Sequence, residues 1–321
     1  MPVSSSALFS PVIRLFTSLG MGALAFSELQ ALYASADSGS KFVEIDGFNL
    51  HYRDQGDRNL PVIIMLHGVV ASLHTWDDWY REFSQDYRVI RFDLPGFGLT
   101  GPSKDGVYTV ERMLNVLSLL MDHLQVEKAS FAGNSLGGYL AWSFALSWPE
   151  RVDKLVLIDP AGYAMKKIPW MIAAAELPGS TTLMPIWMPR ALIAQGVKEV
   201  YGDPQRIKAH VIERYYRLSR RPGNRKAMMM IFRQMVSINR TQLQQTPAAI
   251  AKLRVPTLLL WGEADRWIPP AQVKLWQRDL AGIQIKTYPG VGHLPMEEIP
   301  WQSATDALQF LQEGDSLSLS G

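Results

Sequence analysis

The chain contains no cysteine. Disulfides, thiol nucleophiles and cysteine metal centres are therefore excluded, and the redox character of its compartment stays open. Histidine is scarce: His51, His67, His74, His123, His210 and His293 are all there are. A general base of the usual kind has to be one of these six. Net charge is small as well, a formal +2 from 32 basic and 30 acidic residues. Nothing in that balance attracts a nucleic acid, and none is expected as a partner. No cluster has the spacing of metal ligands, so neither metal nor cofactor is expected. Long apolar runs are missing too: residues 11–26 (PVIRLFTSLGMGALAF) form a run that is short and glycine-bearing for a membrane-spanning helix.

What is present is a chain of 321 residues, 47% hydrophobic, enough for one large α/β domain with an insertion or for two domains. Residues 1–40 read as a separate apolar segment with three meanings. It is an export signal, a membrane-associating helix over residues 8–26, or a helix packed on the domain. Ala34-Ser35-Ala36 resembles a small-residue cleavage site, although it lies well past the apolar run. Localisation stays open between exported, membrane-associated and cytoplasmic, and the oligomeric state is not legible.

From Lys41 onward, strand patterns alternate with helical ones. Phe42 to Ile45 and Asn49 to Arg53 flank Gly47-Phe48 as a hairpin. The run PVIIML at 61–66 has the continuous apolar character of a buried strand, and YRVIRF at 87–92 reads as another. A periodic helix spans 110–124, with Leu114, Leu117, Met121 and Leu124 on one face. This alternation predicts a doubly wound, mostly parallel α/β sheet. It stops after Asp159-Pro160: residues 161–246 hold no good strand and read as an inserted helical region. It resumes at PTLLLW, 256–261. The core is thus expected over 41–160 and 247–313, and the polar tail 314–321 is expected to fray.

One stretch organises the rest. Gly133-Asn134-Ser135-Leu136-Gly137, followed by Gly138, stands between a short apolar strand and a helical pattern that Pro149 ends. A serine on a sharp strand-to-helix turn is held out at the C-terminal edge of the sheet, which is where a nucleophile is useful. Its hydroxyl needs a base. His293, in the glycine-rich loop Gly290-Val291-Gly292-His293 after the last strand, lies at the same edge; the other five histidines are worse placed. The base needs an acid to fix its tautomer. Asp265, just past strand PTLLLW, is the candidate, with Glu263 a possible competitor and Asp159 a serious alternative. Oxyanion donors are expected from the backbone N–H of Leu136 and of Val69, with Val70 as fallback.

The order Ser135, Asp265, His293 resembles that of the α/β-hydrolase fold superfamily, in its serine esterase and lipase-like branch. The resemblance covers about residues 41–312 and includes His67-Gly68, Asp93-Leu94-Pro95-Gly96-Phe97-Gly98, Gly262-Glu263-Ala264-Asp265 and Gly292-His293. It implies an eight-stranded sheet and makes 161–246 a lid over the active site. A serine rather than an aspartate at the turn implies acyl transfer, and the expected substrate is a small-molecule ester with apolar acyl or alcohol groups. Met228-Met229-Met230, Trp170, Trp187 and Met188 are expected either to line its pocket or to pack the lid. Asn134-Ser135 and Asp265-Arg266-Trp267-Ile268-Pro269 also look like hydrolases of carbon–carbon bonds in ring-cleavage products. Against that group's pattern, Val69-Val70-Ala71-Ser72 replaces a glycine-proline run and Leu294 stands where a tryptophan is common. A non-catalytic binder on the same fold is the remaining alternative. The basic cluster Arg217, Arg220, Arg221, Arg225 and Lys226 reads as a solvated face of the lid, or as a dock for an acidic tail or anionic lipid.

Overall fold

In the computed structural model, residues 21–241 and 244–313 are described. The expectations for residues 1–20, most of the apolar run, and for the tail 314–321 lie outside these residues. Eight strands form one sheet: β1 (Ser40–Ile45), β2 (Phe48–Gln55), β3 (Val62–Leu66), β4 (Arg88–Phe92), β5 (Ala129–Asn134), β6 (Val152–Ile158), β7 (Thr257–Gly262) and β8 (Gln284–Tyr288). Their order is β1-β2-β4-β3-β5-β6-β7-β8. The β1–β2 and β2–β4 pairs are antiparallel and the others parallel. Asp46 and Gly47 turn the hairpin with φ of 49° and 77°, the left-handed pair that matches strand twist. The central strands β5 and β7 are buried at every position, as strands covered on both faces by helices are. The last strand, β8, is an edge and carries exposed polar side chains.

Thirteen α-helices surround this sheet among the described residues. They are α1 (Phe26–Tyr33), α2 (Asp77–Phe83), α3 (Val110–His123), α4 (Leu136–Ser147), α5 (Trp170–Ala173), α6 (Ser180–Leu183), α7 (Arg190–Val200), α8 (Ala209–Ser219), α9 (Asn224–Thr241), α10 (Thr246–Ile250), α11 (Val273–Asp279), α12 (Pro295–Glu298) and α13 (Pro300–Gln312). Thr109 caps α3, its hydroxyl accepting from Arg112 N at 3.2 Å, and the stripe Met113, Leu114, Leu117, Leu120, Met121 faces the core. Behind Ser135, α4 is apolar nearly all round and correspondingly buried. Between β6 and β7 the described residues form helices α5 to α10 and no strand of the sheet. Several prolines there start helices rather than break them, as Pro189 before α7 and Pro247 in α10 do.

One reading is met in part and one expectation changes. Residues 21–40 lie against the folded body, as the packed-helix reading of this segment has it. Leu29 of α1 is fully buried with Leu99 and Leu218, Phe26 meets Phe42 edge-on, and Leu24 N donates to Arg220 O at 2.9 Å. The apolar face of α1 needs a partner, and the seam between core and insertion supplies it. The basic cluster is no uniformly solvated face. Arg220 and Arg225 are buried; Arg220 stacks on Tyr216, Arg221 stacks on Phe26, and Arg225 donates to Met188 O. Guanidinium planes pack on rings and carbonyls at little cost in hydration.

Candidate active site

The parallel strands β3, β5, β6 and β7 end along one edge, with Leu66 opposite Gly133, Asn134 opposite Ile158 and Ile158 opposite Leu260. His67, Ser135, Asp159 and Asp265 follow these ends, and His293 follows β8. Ser135 has φ 54° and ψ −113°, a conformation that costs a non-glycine residue free energy of order 1–3 kcal/mol. It is held there by its own backbone: Ser135 N donates to Ile158 O, and Ser135 O accepts from Tyr139 N and Ala161 N. The turn also demands close approach. A Cβ on Gly137 would run into the Leu66 carbonyl, and one on Gly68 would meet Asn134 Oδ1 at 2.8 Å.

His293 is buried and fixed on both sides. Its N–H donates to Val200 O at 2.7 Å, its carbonyl accepts from Asn134 Nδ2 at 2.9 Å, and Trp267 stacks on its ring at 6.0 Å. Its Nδ1 lies 2.7 Å from Asp265 Oδ2. The other carboxylate oxygen, Asp265 Oδ1, accepts from Trp267 N at 2.7 Å and Ile268 N at 3.0 Å. With a carboxylate at Nδ1, the neutral ring carries its proton there, leaving Nε2 as an acceptor. That Nε2 is buried and has no hydrogen-bond partner among the described residues. Glu263 is elsewhere, accepting from Thr287 Oγ1 at an exposed position.

Asp159 stands behind this pair. It is fully buried with φ 42°, and its Oδ1 accepts from Gly262 N at 3.0 Å. Ligand atoms of Asp159, Asp265 and His293 lie within 4.8 Å of one another, the one such trio among the described residues with the spacing to hold a cation. Burial first, and the neighbouring Asp265 second, raise the Asp159 carboxyl well above the usual carboxylate range.

Above Ser135 an apolar chamber is walled by the loop Gly68 to Ala71, by Met171, and by Ile193, Gly196, Val197 and Val200 on one face of α7. Ser135, Asn134, Tyr215, Trp267, His293 and Leu294 complete its lining; no Lys, Arg, Asp or Glu is among the described lining residues. Val69 is in its wall, and Val70 beside it has φ 63°, an uncommon conformation for a β-branched residue. Leu136 opens α4, so its N–H is one of the donors a helix start leaves unpaired. His67 is shaped into the same loop: its Nδ1 lies 2.7 Å from Gly68 O and its Nε2 accepts from Leu94 N. Burial pushes the His67 imidazole below its ordinary value, in keeping with a neutral ring.

The methionines singled out in the sequence are not in this wall. Met228 and Met229 are buried in α9, Trp170 and Trp187 are exposed, and Met188 is fully buried away from the chamber lining. Helix phase decides this, because α7 rather than α9 turns a face to Ser135. Sequence reasoning also missed the acids that follow His293. Glu298 accepts from Gly292 N at 2.9 Å, Gly202 N at 2.9 Å and Asp203 N at 3.0 Å, tying the histidine loop to the insertion. Glu297 binds Arg214, Tyr201, Tyr215 and Thr75. The signal in the sequence is the run His293-Leu294-Pro295-Met296-Glu297-Glu298, which sets two acids in a short helix directly after the histidine. A second histidine–carboxylate pair, His51 and Asp93 at 2.7 Å, lies in the β2–β4 region and organises the Asp93 loop, where Asp93 also accepts from Leu73 N and Leu99 N. Burial would raise the Asp93 carboxyl, but His51 and these donors hold it below the usual range.

Comparison with known proteins places the fold. A hydrolase of Bacillus subtilis (strain 168), YugF, itself uncharacterised, is 27% identical over 80% of this chain and 92% of its own. A 2-hydroxy-6-oxononadienedioate/2-hydroxy-6-oxononatrienedioate hydrolase of Comamonas testosteroni is 28% identical over 86% of this chain and 97% of its own. The solved meta-cleavage product hydrolase of Pseudomonas fluorescens IP01 superposes with a TM-score of 0.71 at 25% identity, covering 85% of this chain and 97% of that one. The family model for the alpha/beta hydrolase fold matches residues 61–300, three quarters of the sequence, and the chain belongs to that family of hydrolases.

Proposed function

We propose that the protein is a serine hydrolase of carboxylic esters with apolar acyl or alcohol groups, working through an acyl-enzyme. The observation that carries this reading is the chamber itself: Ser135 and His293 face one apolar space with no Lys, Arg, Asp or Glu among its described wall residues. Ser135 Oγ attacks the ester carbonyl while His293 Nε2 takes its proton. Asp265 holds the imidazole with Nδ1–H inward and stabilises the imidazolium that forms. The oxyanion is met by the N–H groups of Leu136 and Val69, each such donor being worth about 10²–10³ in rate. His293 then protonates the departing alcohol, and water repeats the sequence to release the acid.

Carbon–carbon hydrolysis is the second reading, favoured by the names of the Comamonas and Pseudomonas relatives. Ring-cleavage products are carboxylates, and a carboxylate entering this chamber would leave water without meeting a cationic side chain. That charge argument ranks the ester first. The test is turnover of p-nitrophenyl esters of graded acyl length beside a dienoic ring-cleavage product, by wild type and Ser135→Ala. Ester turnover that is abolished in the variant supports the proposal. Inert esters and a consumed dienoate would replace it with the second reading.

A further inference from the structure

Large hydrophobic side chains left exposed among the described residues are not scattered. Five of the nine fall within residues 170–187 of the insertion. Four of them, Leu177 (62% exposed), Leu183 (65%), Ile186 (58%) and Trp187 (55%), surround the single turn of α6. The backbone brings three together directly, since Ile186 N and Trp187 N both bond to Leu183 O. Contiguous apolar surface of this kind on a folded protein marks a contact with something else.

Two observations say what that something is. First, the described chain enters at this patch: Met21 forms an antiparallel bridge with Trp187. The twenty residues before it include PVIRLFTSLG, and no acidic residue occurs anywhere before Glu28. Second, the groove running from Met21 to Ile186 is lined by Arg220, Arg221, Arg225 and Lys226, and by no acid. Lys226 is exposed there. Apolar side chains with a tryptophan, beside a groove that has an exposed lysine and no acid, match the boundary of an anionic lipid bilayer: hydrocarbon takes the leucines and isoleucine, the interface takes the indole, and phosphates meet Lys226.

We propose that this face of the insertion docks on anionic lipid membranes, with Leu177, Leu183, Ile186 and Trp187 entering the acyl boundary and the Lys226 edge facing the headgroups. Docking there sets the catalytic chamber close to the lipid, because Met171 of the same stretch forms part of its wall. The proposal does not depend on which bond the enzyme cleaves.

Flotation of the full chain with vesicles tests it, using phosphatidylcholine alone and phosphatidylcholine mixed with phosphatidylglycerol. The expected result is binding to the mixed vesicles, reduced at least tenfold by Leu183→Glu/Ile186→Glu/Trp187→Glu, with anionic preference weakened by Lys226→Glu. Both variants keep residues 1–20, so undiminished flotation of the triple variant would assign all binding to that segment and overturn the proposal. Failure of the wild type to float would overturn it as well. So would a triple variant that instead turns a dimer into a monomer, since the patch would then be an interface between copies. Circular dichroism melts establish that the variants fold without reference to any substrate. Soluble-ester turnover, run in parallel, reports on the catalytic reading separately.

Discussion

Replacing Asp159 by asparagine is expected to leave catalysis nearly intact and to make the protein more stable at neutral pH. Oxygen atoms of Asp159 and Asp265 lie within 4.8 Å of each other in a buried site. Were both ionised, repulsion alone would cost about 3.5 kcal/mol at an effective dielectric constant of about 20. That exceeds the roughly 1 kcal/mol of a typical hydrogen bond, so Asp159 keeps its proton while Asp265 serves His293. Asparagine reproduces a neutral group that accepts from Gly262 N and donates toward Asp265. Its kcat/KM is expected within about threefold of wild type, whereas Asp265→Asn should lose on the order of 10⁴, as loss of the histidine's tautomer partner does. The sign of the stability effect follows from linkage. The folded-state pKa of Asp159 is raised, so the folded protein retains a proton that the unfolded chain has released above about pH 4. Wild-type stability from this group is complete below that pH and falls by about 1.4 kcal/mol per pH unit as pH rises, until the folded-state carboxyl ionises. The asparagine variant has no such loss. Urea unfolding of both proteins from about pH 5 to about pH 8 should show the variant's advantage widening, by about 1.4 kcal/mol per unit for as long as the folded-state carboxyl stays protonated. A constant difference, or a kcat/KM collapse like that of Asp265→Asn, would show that Asp159 is ionised and refute the reasoning.

Gly196→Leu should shorten the accepted acyl chain. An added Cβ meets Met171 Sδ at 2.6 Å, a side chain that can move aside, and the rest of the leucine enters the chamber. At about 0.8 kcal/mol per methylene excluded, three methylenes amount to roughly 60-fold in the octanoate-to-butyrate ratio of kcat/KM. Glu298→Ala strands the N–H groups of Gly202, Asp203 and Gly292 and should lower unfolding free energy by about 2–4 kcal/mol in a urea titration. Because the His293 loop loses its anchor, kcat should fall more than KM changes. Gly137→Ala should fold poorly, with a thermal melt lowered by about 10 °C or more, since its Cβ collides with the rigid Leu66 carbonyl rather than with a flexible side chain. A melt unchanged from wild type would mean that β3 and α4 yield easily at that contact.

The sequence by itself determined the sheet and the points along it where chemistry could sit. Unbroken apolar runs at 61–66 and 256–261 can only be strands buried on both faces, and glycines at 133, 137 and 138 permit one kind of strand-to-helix turn. Strand ends in a parallel sheet share an edge, so Ser135, Asp265 and His293 could be assigned to one neighbourhood from chain order alone. Period and turn chemistry are local properties, and they survive in one dimension. What the tertiary structure decided depends on contacts between distant segments. Whether Asp159 or Asp265 reaches His293 turns on which loop directs a carboxylate to Nδ1; the sequence put Asp265 first with Asp159 as the alternative, and the fold brings Asp265 Oδ2 to 2.7 Å. The chamber wall depends on the rotation of α7 against the core, which places Gly196 and Val197 over Ser135 and leaves Met228 and Met229 packed in α9. Burial of Arg220 involves residues 22–24 meeting the insertion, its Nε donating to Gly22 O, a contact nearly two hundred residues apart in the chain. Charged residues look solvated in a sequence because their stacking partners, here Tyr216 for Arg220 and Phe26 for Arg221, are identified only when the chain has folded.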